Sequence, residues 1–193
     1  MDLHDRPTLH LIKGGKDEYL VGVFRLSLFS PRISPHCDAV LFEEDSWQIL
    51  AAGTDFTVTR EHPIRIWTEL LDTEPTPPGS VILQEGWPIT MLAVVYDFDA
   101  FPCCRSRWIT AALAEAFKIC RERRVKTLLL PLPGVRHGSF TIRKSLRLVI
   151  RALRREKTPP LQRILLACGS EDEEKSLANI LAVEAELWSR SGH

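Results

Sequence analysis

Pro133-Gly134-Val135-Arg136-His137-Gly138-Ser139 gathers in one short loop most of what a polypeptide needs to hold an anion. Its two glycines permit backbone angles that let consecutive amides point at a single charge. Ser139 can cap the helix that follows, whose positive dipole end then faces the same place. Arg136 adds a permanent fork of donors matched to phosphate or carboxylate, and His137 adds a proton or a hydrogen bond near neutral pH. Gly134, Val135, Arg136, His137, Gly138 and Ser139 are therefore the candidate ligand-binding residues. The bland alternative is a strand-to-helix loop that is glycine-bearing only for packing.

A second group is acidic. Glu43, Glu44 and Asp45 follow the apolar run Asp38–Phe42. If that run is a central strand, they stand beside the loop. Carboxylates next to an arginine and a histidine can do general acid/base work or take a divalent ion, which makes Glu44, Asp45 and His137 the catalytic candidates. Against this, an acidic run is commonly the solvated first turn of a helix. Asp97-Phe98-Asp99 is a third acidic element at a strand end. Neither Ser46 nor Ser139 has a His/Asp partner order suited to nucleophilic catalysis. Of the five cysteines, Cys120 and Cys168 fall on apolar faces, where cysteine behaves as a small hydrophobe. Vicinal Cys103-Cys104 could be a redox or metal pair, but no histidine lies nearby and reduced structural thiols are favoured. No metal and no cofactor is expected.

The elements that must position these groups are legible from periodicity. Thr8–Lys13 reads as a short strand and Tyr19–Phe29 as a longer one near an edge. Asp38–Phe42 reads as a strand buried on both faces. Glu43–Ala52 reads as a short helix ending at Gly53, Asp55–Thr59 as an extended piece, and His62–Leu71 as a helix opened by Pro63. Ser80–Glu85 and Thr90–Asp97 are strands joined by Gly86-Trp87-Pro88. A helix over Ser106–Arg124 buries Trp108, Ile109, Ala112, Leu113, Ala116, Phe117 and Cys120. Thr127–Leu130 is the next strand, then a helix over Ser139–Arg155. Leu161–Ala167 is another strand. Ser170 caps the last helix, with Glu173 placed for a capping box. The order β-α-β-α-β-α in the second half predicts a mostly parallel sheet covered on both faces. In such sheets ligands sit at the carboxyl ends of strands. The strand-rich first half makes the sheet mixed.

Composition sets the outer bounds. A chain of 193 residues, 45% apolar and 26% charged, suits one globular domain over residues 1–193, with a strand-rich part over about 8–42 and the alternating part over about 80–190. No apolar run is long enough to span a bilayer, and the first residues lack the pattern of a secretory signal, so the expected location is cytoplasmic. The formal net charge of zero conceals a segregation: residues 118–163 hold 14 Lys or Arg against two acids, and the remainder holds 11 against 23. Arg143, Lys144, Arg147, Arg151 and Arg154 form one face of the helix after the loop. Such a face can meet nucleic acid or an acidic protein.

Several stretches in this order resemble the macro domain, a three-layer α/β/α module that binds ADP-ribose and related nucleotides. Asp38-Ala39-Val40-Leu41 is similar to the family's Asp-Ala-Ile-Val strand. Pro78-Gly79-Ser80 through Gly86-Trp87-Pro88-Ile89 is similar to its Pro-Gly-Glu-Ala…Thr-x-Gly-Tyr-x-Leu-Pro segment. Leu129-Leu130-Pro131-Leu132-Pro133-Gly134 through Gly138-Ser139-Phe140 resembles its phosphate loop. The resemblance runs over roughly Val21–Leu181 and implies a mixed, mostly parallel sheet between helices. It also implies a phosphorylated or nucleotide-derived ligand such as ADP-ribose. The departures fall at ligand-contacting positions. Phe42-Glu43-Glu44-Asp45 replaces Asn-Ala-Ala-Asn. The glycine-rich first loop is reduced to Leu50-Ala51-Ala52-Gly53-Thr54-Asp55. The adenine-binding aspartate falls near Pro31, and Val135-Arg136 replaces Thr-Gly.

Three functions follow: a macro-like ligand-binding module without catalysis; a hydrolase of such a ligand; and a scaffold without a small ligand that meets an acidic partner or nucleic acid through the basic helix.

Overall fold

Aliphatic runs and amphipathic helices alternate along the chain, and the computed structural model lays them out as a mixed sheet with helices packed on it. It describes residues 9–12, 18–21, 23–29, 36–50, 74–156 and 160–190. The strands are β1 (Leu9–Ile12), β2 (Glu18–Val21), β3 (Phe24–Phe29), β4 (Ala39–Asp45), β5 (Val81–Gln84), β6 (Ile89–Tyr96), β7 (Thr127–Leu130) and β8 (Arg163–Ala167). The helices described here are α1 (Ser106–Glu122), α2 (Ile142–Arg155) and α3 (Glu171–Arg190). Spatial order is β1-β2-β3-β8-β7-β4-β6-β5. The five central strands run parallel, while β1, β2 and β5 pair antiparallel at the two edges. This is the expected mixed, mostly parallel α/β sandwich.

Burial marks β6 as a strand covered on both faces. Met91 through Tyr96 are all at most 4% exposed, so both faces of this strand are covered. A continuous apolar run is the sequence form of such a strand. α1 lies against β6 with Ile109, Ala112, Leu113, Ala116, Phe117 and Cys120 buried, and packs beside α2. α2 buries Leu146, Val149, Ile150 and Leu153. At the opposite end of the strands, the Asp38 carboxylate accepts from the amides of Lys126 (2.8 Å) and Thr127 (2.9 Å) and fastens the start of β7 to that of β4.

Four expectations are corrected. Tyr19–Phe29 is two antiparallel strands, because the buried positions change phase: Tyr19 and Val21 are buried, then Phe24 and Leu26, with Val23 at 65% exposure between them. Glu43–Asp45 belong to β4 rather than to a helix, and helical backbone starts only at Ile49 and Leu50. Phe42 is 52% exposed, so the Asp38–Phe42 run is not covered on both faces throughout. The cap of α2 is Thr141, whose side chain accepts from the Lys144 amide, and not Ser139. The expected elements at Ala51–Gly53, Asp55–Thr59 and His62–Leu71 lie outside the described residues, as does Pro31. At α3, Ser170 does cap, accepting from the Glu173 amide at 3.1 Å, and the Glu173 carboxylate reaches back to the Gly169 amide.

Candidate functional site

At the carboxyl ends of β4, β6 and β7 three polar segments meet, and each is shaped by its backbone. A register shift between Glu44 and Asp45, where β4 pairs with β6, interrupts the strand's alternation. Glu44 and Asp45 are consequently both fully buried. Their carboxylates are spent on backbone. Asp45 accepts from the amides of Trp47 (2.8 Å), Ile49 (2.8 Å) and Leu50 (3.0 Å), and Glu44 from those of Asp45 (2.9 Å) and Leu50 (3.0 Å). These two candidates hold the turn that leads out of the strand.

Glu43 does something else. Its Oε1 accepts from the Gly134 amide and from the Tyr96 hydroxyl at 2.8 Å. The same hydroxyl accepts weakly from the His137 amide at 3.4 Å. One carboxylate oxygen thus joins the ends of β4 and β6 to the loop after β7. Burial raises the Glu43 carboxyl above its ordinary range, opposed by the Gly134 amide, the Tyr96 hydroxyl, His137 and Arg136. Burial and the neighbouring Glu43 charge push the Tyr96 hydroxyl up as well, so it stays a donor. Burial, with Glu43 and Cys103 adding to it, raises Cys104 to about 12, leaving that thiol protonated and unreactive at neutral pH.

The loop itself is a compact turn. Gly134 takes φ +83°, and an added Cβ there would meet Ile109 at 3.0 Å and Phe140 at 3.1 Å. At Gly138 a Cβ would stand 2.5 Å from the Gly134 carbonyl oxygen, so this glycine is required by close approach and not by positive φ. The amides of Val135 and Phe140 turn inward to Leu132 and Gly134 carbonyls, and the buried Ser145 hydroxyl on α2 anchors the loop by donating to the Pro133 carbonyl at 2.7 Å. The amides of Arg136, Gly138 and Ser139 make no hydrogen bond with any described residue. The side chains of Arg136, His137 and Ser139 are exposed.

An aromatic wall flanks the cluster. Phe98 stacks on Tyr96 with centroids 5.8 Å apart, and His137 meets Tyr96 edge-on at 5.7 Å. Trp47 Nε1 donates to Asp99 at 2.9 Å, tying the turn after β4 to the segment after β6.

The structure therefore brings together Gly134, Arg136, His137 and Gly138 from the candidate set, with Glu43 beside them. It keeps Glu44 and Asp45 turned away in backbone bonds. Two contributors were not singled out from sequence: Glu43 as the member of the acidic run that meets the loop, and Tyr96. A tyrosine closing an otherwise aliphatic strand was the available signal for the latter. Cys103 and Cys104 are free thiols, and no group of three or more His, Cys, Asp or Glu among the described residues could hold a metal ion. No helix among them is long and apolar enough to cross a membrane. The basic face of α2 is exposed at Arg143, Lys144, Arg147, Arg151 and Arg154, with Lys144 over the Phe140 ring at 3.6 Å.

No family model matches the sequence, and no curated protein matches it. Solved structures do. The Oceanobacillus iheyensis macrodomain with ADP superposes at TM-score 0.66 and 12% identity, over 89% of this chain and 97% of that one. The macro domain of ganglioside induced differentiation associated protein 2 gives 0.56 and 10%, over 83% and 85%. The Trypanosoma brucei macrodomain in complex with ADP-ribose gives 0.56 and 15%, over 80% and 68%. At such identities the likeness is one of fold, and the fold is that of a macrodomain.

Proposed function

We propose that this chain, built on the macrodomain fold, is a divergent ligand-binding module for a phosphorylated or nucleotide-derived small molecule of the ADP-ribose type. Gly134 to Ser139 form its anion-binding loop. The observation that carries this reading is the Gly134 amide already donating to a carboxylate, Glu43. The loop is built to present amides to negative charge, and Arg136, Gly138 and Ser139 have amides to spare. ADP and ADP-ribose are bound in the neighbouring macrodomain structures, and a diphosphate suits a loop of this kind. Phe98 and His137 offer apolar or aromatic surface to the rest of such a ligand.

Catalysis by Glu44 or Asp45 with His137 has less support, because both carboxylates are buried and engaged. Isothermal calorimetry with ADP-ribose, ADP and inorganic pyrophosphate is the test. Saturable heat with at least one, lost in Gly138→Val, is expected; no heat with any of them removes the reading.

A second reading rests on the exposed basic face of α2. A macro-like scaffold could meet an acidic protein or nucleic acid there, with affinity that falls steeply as salt rises. No aromatic side chain interleaves that face, so stacking on single-strand bases is not part of it. Absence of any retention of a duplex or an acidic peptide at low salt would eliminate this reading.

A further inference from the structure

In an anion loop the first glycine amide is a donor that a phosphate oxygen would use. Here it is used by the chain itself. Glu43 Oε1 holds the Gly134 amide and the Tyr96 hydroxyl together, a contact between residues 91 positions apart in sequence. An anionic phosphate group arriving at Gly134 would meet this carboxylate at contact distance, in a half-buried place where like charges repel strongly.

Two changes relieve the conflict: the carboxylate leaves the amide, or it takes a proton and becomes a donor to the incoming oxygen. We propose that Glu43 is an internal occupant of the anion-binding loop, displaced by the phosphorylated ligand with uptake of one proton at its carboxylate. This rests on the ligand-binding reading above and adds the charge rule of the site. The bond lost is Gly134 N–H to Glu43, the bond gained is Gly134 N–H to the ligand oxygen, and the proton comes from solvent.

The groups facing Glu43 bear on that proton. Tyr96 from β6 donates to it, and Cys104 stays protonated beside it. Arg136 and His137 from the loop after β7 favour the charged form, while burial opposes that form more strongly. Lys144 on α2 lies over Phe140 and acts on Cys104. Glu44 and Asp45, on the same strand, point into backbone amides. An approaching anion adds to the burial side of this balance.

The proton can be counted. ADP-ribose binding is measured calorimetrically in two buffers of different ionisation enthalpy, at about pH 6 and about pH 7.5, where one linked proton changes affinity by up to about tenfold per pH unit. For the native sequence, net proton uptake is expected, with tighter binding at the lower pH. Glu43→Gln keeps an acceptor for Gly134 but cannot titrate, and should bind without proton uptake. Glu43→Ala vacates the amide and should bind about tenfold tighter at the higher pH, the order of one charge-assisted hydrogen bond. Equal proton uptake in Glu43→Gln and the native sequence overturns the inference while the ligand-binding reading stands. Absence of ADP-ribose binding by the native sequence and by Glu43→Ala at both pH values overturns both. Without ligand, the Gly134 amide resonance should move with pH in the native sequence and stay fixed in Glu43→Gln; the same titration in both would also refute it.

Discussion

The end of β4 and the loop after β7 meet in one place and treat their polar groups in opposite ways. At the end of β4, Glu44 and Asp45 are fully buried and saturated with backbone amides. In the loop, the amides of Arg136, Gly138 and Ser139 are left without partners among the described residues, on a backbone that glycine alone permits at Gly134. Charge alone would have made the acidic run the more chemical of the two. Satisfaction reverses that order: a carboxylate with all its bonds inside the fold is structure, and spare donors at a strand end are capacity for a ligand. Glu43 belongs to both regions, since it comes from the acidic strand and serves the loop.

The largest effect should come from the saturated side. Asp45→Ala removes a fully buried carboxylate that accepts from three amides of the part-buried turn after β4, leaving those of Trp47 and Ile49 without it while Leu50 keeps Glu44, and hydrogen bonds to a charged acceptor are expensive to lose. A loss of about 3–5 kcal/mol in urea unfolding is expected. A loss under about 1 kcal/mol would mean the carboxylate does not hold the turn, and the contrast with the loop would collapse. Gly134→Ala comes next. At φ +83° with Ile109 and Phe140 at 3.0 and 3.1 Å from the new Cβ, it should cost about 1–2 kcal/mol and weaken ADP-ribose binding. Full binding with full stability would show that the loop does not need its present shape.

A smaller pair separates capping from ligand contact. Thr141→Ala removes the cap of α2 and should cost about 1 kcal/mol. Ser139→Ala should stay within about 0.5 kcal/mol of the native sequence, yet ADP-ribose affinity is the property it would touch. The reverse ranking in thermal unfolding would return the cap to Ser139 and tie the loop end to α2.

The parallel half of the fold was legible because its signals are backbone-level. Met91–Tyr96 is an unbroken apolar run, the α1 apolar positions keep the helical period, and Ser170 stands where an N-cap must. The loop's place followed from strand order, and its two glycines from composition, although Gly138 is there for close approach and not for its φ. Phase within the first half was not legible: the buried set shifts from Tyr19 and Val21 to Phe24 and Leu26, and a regular period read through that shift gives one strand. Nor could the acidic run be sorted. Strict alternation would place Glu43 and Asp45 on one face; the register shift between Glu44 and Asp45 instead buries two neighbours and leaves Glu43 to find Gly134. That outcome depends on a contact across 91 residues, which no local pattern encodes.

The smallest effect is the one that joins the two regions, and its sign is informative. Burial raises the Glu43 carboxyl above its ordinary range, so the folded chain binds that proton more tightly than the unfolded chain does. The stability this contributes is full below the ordinary carboxyl range and is lost as pH rises through the raised value. Glu43→Gln cannot titrate and loses that slope. Native stability minus that of Glu43→Gln, from urea midpoints at about pH 4 to about pH 8, should therefore fall with rising pH across this window and level off above it. The other carboxylates cancel in the difference. A difference that rises with pH would mean that Gly134, Tyr96, His137 and Arg136 hold Glu43 as a favoured ion. The carboxylate would then belong with Glu44 and Asp45 as a satisfied structural group, and the loop would have no reason to release it to a ligand.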